Sequence, residues 1–435
     1  MSKNITVLFA PIHYVGAVNS SIGMAEVLRD GGHRCIFAVN SDWRARLESM
    51  GFEVRVMGEE GDTSGDKPVM DSMDRNAESA KGHGILDPKT PLEKALIVIN
   101  SLTEDIRNEE RKDPYLRAII QSVRPDVIIS DHMVAVPAII TSGIPWVYSW
   151  SNSPLSLDFT IECQDLPPSV LGLAINSDPK LWQQYRKQLN EAKAKVWYEY
   201  RDWLVSKGCP TPRKYQMWIP SPYANFYMTP KELDYTDIRK LPDNYYGFDC
   251  FKRTGSDERT FDIPEPLRNR SGKLVYLSLG SMGSANVDLM KRLVSIMSKS
   301  EHRFIVSKGV FHDKFSLADN MWGERSVPQI KVLPMVDLIV THGGNNTLTE
   351  SMYFGKPMIV LPLFFDQFDN AQRVQEMGFG VRLDPFRCSE QQLLDAINSV
   401  LNDQTMAQKC KKASMRIQSE NSIEKINDIV ESLVK

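Results

Sequence analysis

Thr341-His342-Gly343-Gly344-Asn345-Asn346-Thr347 puts an imidazole, two glycines, two amides and two hydroxyls into seven consecutive residues. That combination suits an anion. A Gly-Gly turn lets the backbone approach a ligand closely and tolerates positive φ. The apolar residues before it, Leu338–Thr341, read as a buried strand, and those after it, about 346–354, as a helix closed by Gly355 and Pro357. A helix N-terminus offers unpaired N–H groups and the positive end of a dipole, which together favour a phosphate. Asn345, Asn346 and Thr347 are capping residue types whose side chains also reach phosphate oxygens. His342 stands at the carboxyl end of its strand, where α/β sheets bind ligands. Glu350 follows Asn346 by one helical turn, on the same face, where a carboxylate accepts from a ribose. A second strand, about 358–363, then ends in the acidic, amide-bearing loop Asp366-Gln367. A lone His-Gly-Gly turn is a common strand-to-helix connection; the weight lies in the joint pattern.

Another phosphate element is Gly280-Ser281, in the GSMGS that follows the apolar run Lys273–Leu279. Alone it is equally a plain strand–helix turn; beside the first motif it reads as its companion. The elements that must carry these motifs alternate. Strands are expected at 5–10, 34–39, 54–57, 126–130 and 146–150, with helices at 20–30, 92–123 and 133–142 between them. That alternation means a parallel, doubly wound sheet. Residues 58–90 are polar and rich in Gly and Asp and read as a loop with room for a short helix. Residues 151–215 break the rhythm with Pro-rich stretches and a Trp- and Tyr-rich helix over about 180–206; an insertion of this size shapes a pocket. After a turn-rich segment at 241–264, strands and helices restart from residue 273.

Motif order and spacing over nearly the whole chain resemble the family 1 UDP-glycosyltransferases. Those proteins carry Pro-Gln, THxGxN(S/T)xxE and GxPMxxxPxxxDQxxNA. Here the matching residues are Pro328-Gln329, Thr341 to Thr347 with Glu350, Gly355-Lys356-Pro357-Met358, Pro362, Asp366-Gln367 and Asn370-Ala371. The resemblance is closest in style to bacterial macrolide glycosyltransferases and the soluble enzymes of mites. It implies an α/β GT-B fold, two Rossmann-like domains facing across a cleft. The implied division is an acceptor-binding domain at 1–245, a linker at 246–270, a UDP-sugar-binding domain at 271–410, and a C-terminal helix at 411–435 crossing back to the first domain. It also implies roles. The Val327 backbone and Gln329 hold uracil and ribose, and Glu350 accepts from the ribose. Ser281, His342, Gly344, Asn345, Asn346 and Thr347 surround the diphosphate. Asp366 and Gln367 bond the sugar, the pair that favours UDP-glucose in similar enzymes. No metal is expected. Plant relatives stack a Trp on uracil two residues before Pro328; here Ser326 stands there, and nearby Trp322 reads equally as a substitute for the stack or as surface packing.

Inverting transfer needs a base for the acceptor hydroxyl, a task suited to histidine held by a carboxylate. Relatives carry GHVNP after the first strand. This chain reads Gly16-Ala17-Val18-Asn19-Ser20, and Ala17 cannot accept a proton. Three readings stay open: His13 in the same loop takes over, position 17 carries a disabling substitution, or acidic phenols react with little base assistance. Asp131, in IISDHM, matches the family's carboxylate and equally suits the N-cap of a helix at 133–142.

Bulk numbers agree with an ordinary globular protein. The 435 residues allow two cores, and 42% hydrophobic with 25% charged is the usual balance. A net charge of −3 argues against a nucleic-acid or anionic-membrane partner. The six cysteines are scattered with no CxxC pair, which reads as reduced thiols in a cytoplasmic protein and argues against a metal site. No run reaches the roughly 18 apolar residues of a membrane span. The expectation is a UDP-glucose-dependent hexosyltransferase acting on a hydroxyl of a flavonoid, other phenolic or xenobiotic, in detoxification. The alternatives are a UDP-sugar-binding protein without efficient catalysis, or another GT-B enzyme such as a UDP-N-acetylglucosamine epimerase. Abundant Met, Phe, Trp and Tyr suggest a roomy apolar acceptor pocket, lined by 13–19, 150–153 and the 151–205 insertion. The oligomeric state is left open, with a monomer expected.

Overall fold

The computed structural model describes residues 4–58, 72–157, 165–255 and 258–434. Among the described residues, thirteen strands form two wholly parallel sheets. The first contains β1 (Thr6–Pro11), β2 (Arg34–Val39), β3 (Glu53–Val56), β4 (Val127–Asp131), β5 (Trp146–Trp150), β6 (Ala224–Met228) and β7 (Tyr245–Phe248), in the order β3-β2-β1-β4-β5-β6-β7. The second contains β8 (Leu274–Ser278), β9 (Arg303–Ser307), β10 (Met321–Glu324), β11 (Leu338–Thr341), β12 (Met358–Val360) and β13 (Gly380–Arg382), in the order β10-β9-β8-β11-β12-β13. β4, β5, β6, β8 and β11 are buried along their whole length, as strands covered on both faces must be. Alternation divides each sheet between two cores. Val7 and Phe9 face one layer, Leu8 and Ala10 the other. Val275 and Leu277 likewise oppose Leu274 and Tyr276.

Several expected elements move. β7, the edge strand of the first sheet, occupies residues read as linker, because Asn225–Met228 pairs in register with Tyr245–Phe248. The first helix begins at Val15, not Ser20, so Ala17 lies in its first turn. Only Pro137–Ile140 is helical in the segment expected as a helix over 133–142; Pro137 disfavours helical backbone in the residues before it. Residues Ser72–Gly82 form the short helix for which the loop reading of 58–90 left room, and 59–71 lie outside the described residues.

The two halves are tied at several points. The helix Lys425–Leu433 returns to the first half and buries Ile426 and Val430 in its core. Arg416 bonds Glu232 and Asp249, each at 2.6 Å. Asp369 accepts from the amides of Val170 (2.6 Å) and Gly172 (3.0 Å). The Lys94 ammonium donates to the Leu363 carbonyl at 2.5 Å. Five described cysteines, at 35, 209, 250, 388 and 410, are free and buried. No helix among the described residues is long and apolar enough to cross a membrane.

Candidate active site

In both sheets the strand order reverses beside the first strand, at β1/β4 and at β8/β11, and the loops leaving these four strands face one cleft of about 880 Å³. Such switch points are where open α/β sheets bind ligands. From the first half come residues 14–17 and Asp131; from the second come Gly280, Ser281, His342 and the start of the helix Asn345–Tyr353.

His342 is seated between two glycines. A Cβ on Gly280, whose φ is 72°, would lie 2.6 Å from the imidazole, and one on Gly344 would lie 2.5 Å from its Nε2. The packing leaves no solvent shell for a charged ring. Desolvation lowers its pKa to about 4, with a hydrogen bond to the Ser278 backbone pulling the other way. The ring is therefore neutral at pH 7 and can donate one N–H. Gly343 takes φ 85° to make the turn. Its carbonyl accepts from Asn370 at 2.9 Å, which ties the turn to the Asp366 loop.

One turn along the helix, Glu350, Thr347 and Gln329 form a joined cluster. The Gln329 amide donates to Glu350 Oε2 at 2.5 Å and to Thr347 Oγ1 at 3.3 Å. Burial raises the Glu350 pKa, and the Arg253 guanidinium opposes that rise. Val327 and Ser326 also line this end of the cleft. Trp322 does not: its ring packs at a tilt against Phe261, centroids 5.6 Å apart, beside the second half's core. The reading of Trp322 as a substitute uracil platform is corrected.

Asn345 and Asn346 line the cleft, yet their side chains bind the first half. Asn345 Nδ2 donates to the carbonyls of Met228 (2.8 Å) and Ser151 (3.2 Å). Asn346 Nδ2 donates to Gly16 O at 2.7 Å, and its Oδ1 accepts from Ser20 at 2.8 Å. The amide side chains expected at a phosphate thus join the two halves, and an anion at this helix start is left with the backbone N–H groups. Asp366, 5% exposed, accepts from the Ser153 amide at 2.9 Å and from Asn370 at 3.3 Å; burial pushes its pKa up to about 7. Gln367 turns its Oε1 to the amides of Leu363 and Phe364. Phe365, just before Asp366, holds φ 54°, a rare conformation for a bulky residue, at the cleft wall.

On the acceptor side Ala17 lines the cleft and is 4% exposed. Asp131 lines it too, wholly desolvated, with its pKa raised to about 6 by burial. His13 does not line it, although Ile12 and Tyr14 on either side do. Its ring lies in the electrostatic neighbourhood of Lys112, His132 and Glu109, and desolvation followed by Lys112 lowers its pKa. His132 Nε2 meets the Ala10 carbonyl at 2.9 Å and its Nδ1 lies 3.5 Å from Glu109. His13 is therefore not among the cleft-lining residues, where its expected role as base would place it.

The acceptor wall differs from expectation as well. Of the 151–205 insertion, only Ser151 and Asn152 line the cleft among the described residues. The rest of the wall comes from residues 73–108, with Met73, Ile85, Ile97 and Val98 as its apolar part and Glu104 and Asp105 as acidic members. The insertion's long helix Pro179–Ser206 packs instead against the helix Pro91–Val123. Arg253 and Glu258, 3.0 Å apart at the donor end, were not anticipated; their turn-rich segment has no periodicity that would mark them.

Comparison with known proteins narrows this site. A model of the UDP-glucoronosyl and UDP-glucosyl transferase family matches residues 262–427. NDP-glycosyltransferase YjiC of Bacillus subtilis is 23% identical over 425 residues, covering 97% of this chain and 95% of its own. Human UDP-glucuronosyltransferase 2B10 is 26% identical over 377 residues, covering 79% and 67%. Among solved structures, the glycotransferase of kitacinnamycin superposes with a TM-score of 0.68 at 18% identity, over 100% of both chains. Spinosyn forosaminyltransferase SpnP superposes with 0.64 at 17%, over 99% and 100%. The matched region holds the glycine-seated His342 and the Glu350 cluster, and the paired parallel sheets are those of the solved transferases: the chain has their GT-B fold, and its second half is similar to the UDP-glucoronosyl and UDP-glucosyl transferase family.

Proposed function

We propose that this protein transfers glucose from UDP-glucose, with inversion, to a hydroxyl of a lipophilic small molecule such as a flavonoid, another phenolic or a xenobiotic, in detoxification. The observation that carries the reading is the meeting of four sheet ends in one cleft, with His342 and Glu350 on one wall and Ala17 and Asp131 on the other. In this reading Gln329 and the Val327 backbone hold uracil and ribose, and the Glu350 carboxylate accepts from the ribose hydroxyls. The N-terminus of helix Asn345–Tyr353, the Ser281 region and an N–H from neutral His342 receive the diphosphate, whose charge grows as the sugar leaves. Asp366 and Gln367 border the sugar. These groups answer leaving-group charge without a metal, so a chelator should leave turnover unchanged. The apolar residues among 73–98 supply a surface for a ring system. Five free thiols suit a cytoplasmic setting.

The test is purified protein with UDP-glucose and a flavonol panel, read as a glycoside mass shift. No glycoside from any acceptor, with UDP still bound, would select the second reading, a UDP-sugar-binding protein. That reading has its own support in Ala17 and in the absence of His13 from the cleft lining. Ala17→His is the paired experiment: a large rate gain means that imidazole is wanted at position 17 and that His13 does not supply it.

A further inference from the structure

We infer that Asp131 is itself the general base of the transfer, accepting the acceptor's hydroxyl proton directly on its carboxylate instead of orienting a histidine. This rests on the transferase reading above and concerns the one step for which that reading has no imidazole. Asp131 ends β4, in register with Pro11 at the end of β1, so it lies beside the connection from β1 to the helix whose first turn carries Ala17. It is 3% exposed, lines the cleft, and its Oδ2 has no hydrogen-bond partner. Buried polar atoms nearly always have a partner, and one left open costs about 1–3 kcal/mol. An acceptor hydroxyl entering over the Ala17 methyl would supply it.

The other candidates at this end are engaged elsewhere or, like His13, whose Nε2 also lacks a partner, do not line the cleft. His132 spends Nε2 on Ala10 O with Nδ1 toward Glu109. Asp366 is held by Ser153 and Asn370, and Glu350 by Gln329. Asp131 is also close to the phosphate turn through one intermediary: Ser151 approaches its carboxyl by hydroxyl and amide, while the Ser151 carbonyl accepts from Asn345. The groups around the carboxyl are His132 beside it, Ser151, and Tyr148 from β5, whose hydroxyl donates to the His132 carbonyl at 2.9 Å. None of them is a cation paired with Asp131. Burial therefore dominates and lifts the carboxyl to about 6, against the pulls of Ser151 and His132. That is basic enough to share a hydroxyl proton and still ionised at pH 7.5.

The step balances. The acceptor O–H proton passes to Asp131, and the oxygen's electron pair forms the bond to the anomeric carbon. The bond from that carbon to the diphosphate oxygen breaks, its pair leaving with UDP. The carboxylic acid then returns its proton to water once product departs.

The experiment compares wild type, Asp131→Asn and His13→Gln with two acceptors, an ordinary phenol and a nitrophenol already largely ionised at the assay pH, with UDP binding by calorimetry as a folding control. With the ordinary phenol, wild-type kcat/KM should rise with pH through one ionisation near 6, and D131N should lower it roughly 100- to 10,000-fold. With the nitrophenol the loss should stay within about tenfold, since little proton remains to be moved. UDP affinity should not change, and H13Q should keep the wild-type profile. Equal losses with both acceptors, an unchanged profile in D131N, or loss of the ionisation in H13Q would overturn the proposal. So would a wild type that binds UDP but turns over neither phenol. A wild type that fails to bind UDP would overturn the transferase reading and, with it, this one.

Discussion

Replacing Glu350 with alanine tests the donor end most directly. The carboxylate is 4% exposed, accepts from Gln329 at 2.5 Å, and is drawn toward ionisation by Arg253. A ribose donating to it makes charge-assisted hydrogen bonds, each worth about 1.5–3 kcal/mol. Part of that is offset, because Oε2 already serves Gln329 and the empty site is wet. A net loss of about 2–3 kcal/mol follows, or roughly 30- to 150-fold in UDP affinity. Truncation also strands the Gln329 amide, so weaker binding alone would not identify the ribose contact. The discriminating measurement is a cycle by calorimetry: wild type and E350A, each with UDP and with 2′,3′-dideoxy-UDP. Wild type should bind the dideoxy analogue more weakly by about the same 2–3 kcal/mol, and E350A should scarcely distinguish the two ligands. The sign with pH follows from the raised pKa: the accepting form is the carboxylate, so affinity falls as pH drops through that pKa, and E350Q should flatten the trend. A mutant that discriminates the analogue as strongly as wild type would refute the ribose assignment, whatever its affinity for UDP.

Gly344→Ala places a methyl carbon 2.5 Å from His342 Nε2, so it should weaken UDP binding at least about tenfold with circular dichroism unchanged. Arg416→Ala should cost about 2 kcal/mol in urea unfolding, less than for a fully buried pair, because the guanidinium is partly exposed and Asp249 keeps its Ser422 hydroxyl bond. Asp369 is raised to about 7 by burial, above its unfolded value, so its neutral form is the stabilised one. Its contribution is complete below pH 3.8 and lost as pH rises through about 7. Between pH 4.5 and 7.5 wild type should therefore lose roughly 2–3 kcal/mol more than D369N by urea titration.

The sheets were legible because each strand is a short apolar run between turn residues, and β1, β4, β8 and β11 fall where those runs were read. The reading failed where local preference and tertiary pairing compete. Tyr245–Phe248 has the turn-rich neighbours of a linker and becomes a strand only because β6 offers an open edge. Ser72–Gly82 is too polar to mark the bounds of its helix and is ordered by packing against the short helix Gly280–Gly283 of the other half. Met133–Val136 looked helical by composition and is not: the chain bends at Met133 and Val134, and Val136 is extended ahead of Pro137.

By itself the sequence determined the donor turn. His342, Gly344, Thr347 and Glu350 lie within nine residues, and one turn followed by one helix brings them together, since helical spacing is set by the backbone hydrogen-bond ladder. Tertiary structure decided whatever depends on the direction of a loop side chain or on contacts between the halves. Residue identity did not reveal that Asp131 lines the cleft while His13 does not, or that Asn346 is bound to Gly16 and Ser20. Nor did it reveal that residues 73–108, not the Trp-rich insertion, line the acceptor wall. Loop backbones have no fixed period to predict side-chain direction, and the partners are distant in sequence, 330 residues apart for Asn346 and Gly16. Only the packed chain brings such residues within hydrogen-bond reach.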